Sequence, residues 1–233
     1  MGISSDIRAE VRKVLSAPWD RRTGQVVPNS EDIKLSGGAV ELDAVFLYAD
    51  MADSTLLAQT WKPEAAAKVI RSFLDASTRV IRSEGGKIRS FDGDRVMGIF
   101  VGGFKCTAAA RCALKINYAV TEILQDELAS AFSDYPSSFR VSHCTGAALG
   151  KALLVRGGVR NNNDLVSVGS APNVAAKLSG LRTGHSSYIT SELYDEMSNT
   201  AAFSDGRPMW SREFRTIASR NIMLYRSTWV WEP

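Results

Sequence analysis

A chain of 233 residues, 45% hydrophobic and with a formal net charge of +3, is long enough for one sizeable α/β domain with a full core and a small appendage. Its 28 basic and 25 acidic residues are interleaved without the basic stripe that tracks a phosphate backbone, which argues against a nucleic-acid binder. No apolar run reaches the ~20 residues that span a bilayer, no basic-then-apolar leader opens the chain, and Cys106, Cys112 and Cys144 form no C-x-x-C pair, so a cytoplasmic protein with reduced thiols is expected.

Residues 4–17 read as a short helix, with Ile7, Val11, Val14 and Leu15 at helical spacing and Pro18 ending it. The polar stretch 20–38, with Gly24, Pro28, Gly37 and Gly38, reads as a connector. It divides the chain into an N-terminal helix and connector (1–38) and a main domain (39–233). The apolar run 42–49 predicts a buried strand. Pro63 and Glu64 suit the first turn of a helix, Val69, Phe73, Ala76 and Val80 give it one buried face, and Gly85-Gly86 stops it.

Residues 87–91 and 95–101 predict two strands joined through Asp92-Gly93-Asp94, a tight hairpin by composition. A long helix is predicted over 105–128, a strand over 139–149, a Gly/Asn-rich loop over 157–163, a strand over 165–168 and a helix over 173–181. Strand-like pieces follow near Tyr188 and over 223–231, where Trp229 and Trp231 are expected to pack on the core or on the N-terminal segment. This order predicts an α+β fold in which helices cover one face of a mostly antiparallel sheet, leaving the other face exposed or covered by a second subunit.

Two places carry candidate chemistry. Asp50 sits where an apolar strand gives way to the small, polar turn Met51-Ala52-Asp53-Ser54-Thr55, whose backbone amides suit an anion. Asp94 closes the second feature, a hairpin flanked by apolar strands that would lie beside the first one. Taken alone, Asp50 also reads as a helix cap, and Asp92-Gly93-Asp94 as a plain hairpin turn. Brought to one sheet edge, the two carboxylates would repel and raise each other's pKa unless a cation separated them. Magnesium or manganese meets that need, since both prefer oxygen ligands and bridge phosphate oxygens.

These segments resemble the metal-binding signatures of class III adenylate and guanylate cyclases. Downstream, Arg140-Val141-Ser142-His143-Cys144-Thr145-Gly146 resembles that family's His-x-Gly strand. The run 168–178, with Asn173 and Lys177, resembles its Gly-x-x-Val-Asn-x-Ala-x-Arg-Leu segment. The match extends over about residues 42–230. It implies the class III catalytic domain as a head-to-tail homodimer with active sites at the subunit interface.

The resemblance further implies that Asp50, Asp94 and the Met51 carbonyl hold two divalent cations, Mn²⁺ or Mg²⁺. The ribose 3′-hydroxyl then attacks the α-phosphate of a nucleoside triphosphate in line, and pyrophosphate leaves. Ala52, Asp53, Ser54 and Thr55 would cradle the phosphates. Asn173, from the partner, would position the ribose. Lys177 stands where the family has a transition-state arginine. Lysine keeps the charge without the planar fork, so Arg156 or Arg160 is a candidate to share the role. His143 and His185 are expected to be structural.

The base-reading positions depart from both purine patterns. Ser90 stands where adenylate cyclases carry a lysine, and Val166 where they carry Asp or Thr; the Glu and Cys of guanylate cyclases are absent as well. Relaxed purine binding and a pocket for a smaller base both remain open from these residues. Tyr48, Lys87, Arg89 and Asp92 stand nearby, with alternation sending Arg89 and Ser90 to opposite faces.

The connector 27–33 and the run 47–55 resemble the stand-alone pyrimidine cyclases (PycC type) of bacterial Pycsar anti-phage systems. That likeness implies a uridylate cyclase converting UTP to cyclic UMP, a second messenger for a downstream cyclic-nucleotide effector in antiviral defence. A cytidylate cyclase, or an adenylate cyclase with an atypical pocket, is the alternative, and a degenerate cyclase domain serving as a nucleotide sensor or dimerisation module is a further one.

Overall fold

A long central strand organises the molecule, whose computed structural model describes residues 2–132, 139–159, 161–217 and 219–233. In chain order, helix α1 (Ile3–Ser16) and strand β1 (Asp20–Thr23) precede the 14-residue strand β2 (Gly38–Met51). Helices α2 (Ser54–Thr60) and α3 (Pro63–Ser83) lead to the hairpin β3 (Lys87–Asp92) and β4 (Arg95–Phe100). Helix α4 (Lys105–Tyr118) widens into a π-helical segment (Ala119–Leu124) and continues as α5 (Gln125–Ala131). The 17-residue β5 (His143–Val159) turns back as β6 (Asn162–Val168), followed by α6 (Ser170–Ser179). Strand β7 (Ser187–Thr190) and helices α7 (Ser191–Glu196) and α8 (Asn199–Ala202) come next. The chain closes with the small hairpin β8 (Phe203–Ser204) and β9 (Arg207–Pro208), then β10 (Ser211–Ile217) and β11 (Arg220–Ser227).

Seven strands form the main path β10-β11-β7-β5-β2-β4-β3, with β1 added to β2 and β6 to β5. All main-sheet pairings are antiparallel except β1 with β2 and β5 with β7. The expected α+β architecture, a mostly antiparallel sheet with helices packed on it, is therefore present.

Strand alternation sets two cores. Val45, Leu47 and Ala49 face α3 and α4, meeting Val69, Phe73, Val80 and Leu114. Each large side chain fully buried there contributes about 1.5–3 kcal/mol relative to exposure. Leu42, Ala44 and Phe46 face the other way, with Met97, Ile99 and Ala175. That second face is not bare, as helices on one side alone would leave it: α6 and buried Ile33 cover part of it. Gly146 permits the close approach, because a Cβ there would lie 2.4 Å from the Ala175 carbonyl and the Ser179 amide.

Several boundaries differ from expectation. The predicted loop over 157–163 is largely strand, since β5 and β6 pair through Val159 and Asn162. The strand expected over 139–149 starts later, at His143, and the one expected over 223–231 ends at Ser227. Residues 133–138 and Arg160 lie outside the described residues. Trp229 and Trp231 pack on the α3–α4 core, with the Arg111 guanidinium 5.5 Å from the Trp231 ring. Helix α1 buries none of its residues, so Ile7, Val11, Val14 and Leu15 are all exposed. No helix among the described residues is long and apolar enough to cross a membrane.

Candidate active site

The C-terminal end of β2 and the β3–β4 turn converge on one cleft of about 520 Å³. Asp50 pairs with Arg95 of β4 on one side and Cys144 of β5 on the other. Asp94 sits in the turn, where Gly93 takes φ +61°, a conformation costly for residues with a side chain. The Met51 amide donates to the Asp94 carbonyl at 3.3 Å, fixing the turn against the end of β2. Asp50, Met51, Asp53, Ser54, Thr55 and Asp94 all line this cleft. The structure thus places in one cleft residues that the sequence expected to share a site, Ala52 excepted.

The Asp50 side chain is 17% exposed. Burial pushes its carboxyl above the ordinary carboxylate range, the Asp94 charge adds to the effect, and Arg182 and Arg95 oppose it. Two carboxylates and the Met51 carbonyl are hard oxygen donors. Among the described residues no group of three or more His, Cys, Asp or Glu is placed to hold a metal ion. The donor set therefore fits Mg²⁺ or Mn²⁺, which keep waters and take phosphate oxygens to complete their coordination, and does not fit a closed zinc centre.

The phosphate side differs in one detail. The Ala52 amide is already committed to the Ser142 carbonyl at 2.8 Å. Asp53 takes a left-handed conformation, φ 58°, and Ser54 opens α2. The amides available to an anion are those of the first turn, which have no intrahelical acceptor.

On the same face as Asp50, Tyr48 and Ser90 both pair with Met97, so the three form one row across β2, β4 and β3. The Arg95 guanidinium lies 5.4 Å from the Tyr48 ring centroid and donates to Asp92 at 2.6 Å, while its Nε is buried without a partner. Ser90 contacts the Met97 sulfur at 3.8 Å. Burial pushes the Tyr48 phenol upward. A register shift between Ile88 and Ser90 breaks the expected alternation. Arg89 consequently reaches Asp164 and the Leu165 carbonyl (2.6 Å) on the face that Leu165 and Tyr48 share. Lys87 is exposed on the edge strand. Val166, on β6, is 48% exposed and does not line the cleft.

Asn173 and Lys177 stand one helical turn apart on the exposed side of α6, outside the Asp50–Asp94 cleft. Asn173 lines a separate concavity with Lys151, Glu192 and Arg220. Arg156 donates to Asn163 within the β5–β6 hairpin at 2.6 Å. His143 is 7% exposed, with its ring 6.1 Å from Phe73, and burial pushes its pKa down to about 4. His185 packs beside Tyr188, 6.1 Å between rings. Neither histidine lines the cleft.

Three arginines escaped sequence reasoning. Arg95 was legible: alternation along β4 puts 95, 97 and 99 on one face, beside 48 and 50 of the paired strand. Arg220 and Arg182 carried no local signal. They reach their positions only through the docking of β11 and α6.

No family model matches this chain. It is 39% identical over 237 residues to a uridylate cyclase of Rhodovulum sp. (strain MB263), covering 100% of this chain and 99% of that protein. It is 37% identical to a uridylate cyclase of Burkholderia cepacia, covering 99% of each. Among solved structures, the guanylyl cyclase Cya2 matches with TM-score 0.69 at 16% identity, over 83% of this chain and 95% of that one. The adenylyl cyclase CyaB from P. aeruginosa matches with TM-score 0.67 at 19% identity, over 81% of this chain and 95% of that one.

Proposed function

Given that this chain belongs to the uridylate cyclase family of class III nucleotide cyclases, we propose that its substrate is UTP and its products are 3′,5′-cyclic UMP and pyrophosphate. The observation that carries this proposal is the shared cleft of Asp50 and Asp94, beside a sheet face on which Arg95 lies over the Tyr48 ring and Ser90 stands where adenylate cyclases carry a lysine.

Asp50, Asp94 and the Met51 carbonyl are the residues that would hold two divalent cations, Mn²⁺ or Mg²⁺. When bound, such ions neutralise the triphosphate and acidify the ribose 3′-hydroxyl for in-line attack on the α-phosphate. The first turn of α2, with the Ser54 and Thr55 hydroxyls, binds the phosphates. Asn173 orients the ribose, and Lys177 balances charge that develops on the phosphoryl oxygens.

Asn173 and Lys177 are exposed and lie outside the cleft of their own chain, which supports a head-to-tail homodimer in which each copy completes the other's site. Exposed Val159, Val166 and Val168 along the β5–β6 hairpin offer apolar surface for such a contact. Residues 39–233 form the catalytic domain and 1–38 an N-terminal helix and connector. The product acts in the cytoplasm as a messenger for a cyclic-nucleotide effector in anti-phage defence.

Incubating purified protein with each of the four NTPs and Mn²⁺, then separating products by chromatography, tests the substrate. Cyclic UMP is expected to dominate. Dominant cyclic CMP or cyclic AMP would overturn the assignment of the base, and no cyclic product from any NTP would overturn the activity.

A further inference from the structure

Arg182 joins two parts of the site that the proposed reaction uses separately. It lies just beyond α6 and is 40% exposed. Through Nη1 it donates to the Ser179 carbonyl at 2.8 Å and the Leu181 carbonyl at 3.1 Å. Through Nη2 it donates to Asp50 Oδ2 at 3.2 Å and the Met51 carbonyl at 3.3 Å. One planar fork therefore ties the C-terminal carbonyls of α6 to the end of β2. The arrangement is favourable twice over: a cation suits the negative end of the α6 dipole, and it suits the Asp50 carboxylate, which shares its cleft with a second carboxylate, Asp94.

Two of the three oxygens assigned to the cation, Asp50 Oδ2 and the Met51 carbonyl, are thus the acceptors of Arg182. We propose that Arg182 is a positioning residue that occupies the cation-binding oxygens in the empty enzyme and yields them when a divalent ion binds, so that metal loading releases the C-terminal end of α6. The proposal rests on the assignment of Asp50 and Met51 to the metal. Its consequence concerns the other half-site, because α6 carries Asn173 and Lys177. Loading one chain's carboxylates loosens the helix that serves the partner's substrate.

Lysine at this position cannot copy the device. A single ammonium on a flexible stem does not present two separated donor edges to Ser179 and Asp50 at once. Loss of a purely structural arginine would loosen the cleft and weaken cation binding. Loss of a competing guanidinium strengthens it, so the sign of the effect separates the two roles.

The test is Mn²⁺ binding to the nucleotide-free protein, followed by electron paramagnetic resonance of the free ion. Arg182→Ala is expected to bind Mn²⁺ about threefold or more tightly than the wild type, with Arg182→Lys between them. Hydrogen exchange of residues 179–183 should rise on Mn²⁺ addition in the wild type and stay unchanged in Arg182→Ala. Asp50→Asn serves as the control for the metal assignment. If Asp50→Asn binds Mn²⁺ as well as the wild type, that assignment fails and the proposal with it. If Asp50→Asn loses binding but Arg182→Ala binds equally or more weakly, the metal assignment stands and the proposal about Arg182 is overturned. Should Arg182→Ala fail to fold, Arg182→Lys carries the same test: equal or weaker binding by the lysine variant overturns it.

Discussion

Arg95 holds its guanidinium 5.4 Å from the centre of the Tyr48 ring, on the sheet face that also carries Asp50. Its Nε is buried without a partner, so this arginine retains a donor after pairing with Asp92. A pyrimidine offers carbonyl oxygens to such a donor and a flat face to the tyrosine ring. Tyr48→Ala and Arg95→Ala are expected to lower kcat/KM for UTP about tenfold or more, mainly through KM, because the first loses the ring that stacks on the base and the second a buried polar contact to it. Steady-state kinetics with UTP, CTP and ATP check this. Selectivity among the three that is unchanged in both variants would remove these residues from base reading.

The separation of Asn173 from the Asp50–Asp94 cleft within one chain makes a complementation experiment decisive. Asp50→Ala and Asn173→Ala homodimers should each lose at least about a hundredfold in turnover. Mixed in equal amounts and allowed to exchange, they should regain roughly a quarter of wild-type activity, since half the dimers are mixed and each holds one intact site of two. A mixture as inactive as its components argues against sites shared between chains.

Lys177 carries its charge on a flexible stem, one turn beyond Asn173 on the exposed side of α6. If it balances developing charge, Lys177→Ala should lower kcat about a hundredfold with little change in KM, while Lys177→Arg should stay within about tenfold of the wild type. A rise in KM alone for Lys177→Ala would place the residue in substrate binding instead.

His143 makes stability depend on pH. Burial behind Phe73, aided by the nearby positive charge of Arg182, lowers its pKa from 6.5 to about 4 in the folded chain. The unfolded chain therefore binds the extra proton first. The imidazole's contribution is fully present above pH 6.5 and is lost as pH falls toward 4. The loss is expected to reach on the order of 3 kcal/mol. From denaturant midpoints, the stability of the wild type relative to His143→Leu should fall steadily as pH drops from 6.5 toward 4. A difference curve that is flat with pH would show that the imidazole is not held neutral.

The residues proposed to hold the metal were legible in the sequence because they sit on local signals. Asp50 ends an apolar run, Asp94 closes a turn that glycine specifies, and both strands are read by alternation. Tyr48, Ser90 and Arg95 follow from the same rule, once β2 and β4 are taken as neighbours. Ala52 shows where the local rule fails. Its amide looks available in sequence, yet the packing of residue 142 against the turn consumes it.

The sequence by itself determined the strand that ends at Asp50, the β3–β4 hairpin, the long helices and the carboxylates that converge, because hydrophobic period and turn chemistry act over a few residues. Tertiary structure alone decided what surrounds them. A bulge at 88–90 redirects Arg89, Gly146 lets α6 sit directly on β5, and that docking delivers Arg182 to Asp50 across 132 positions of chain. Contacts of that kind depend on how faces pack and where backbones approach, which no periodicity along the chain records.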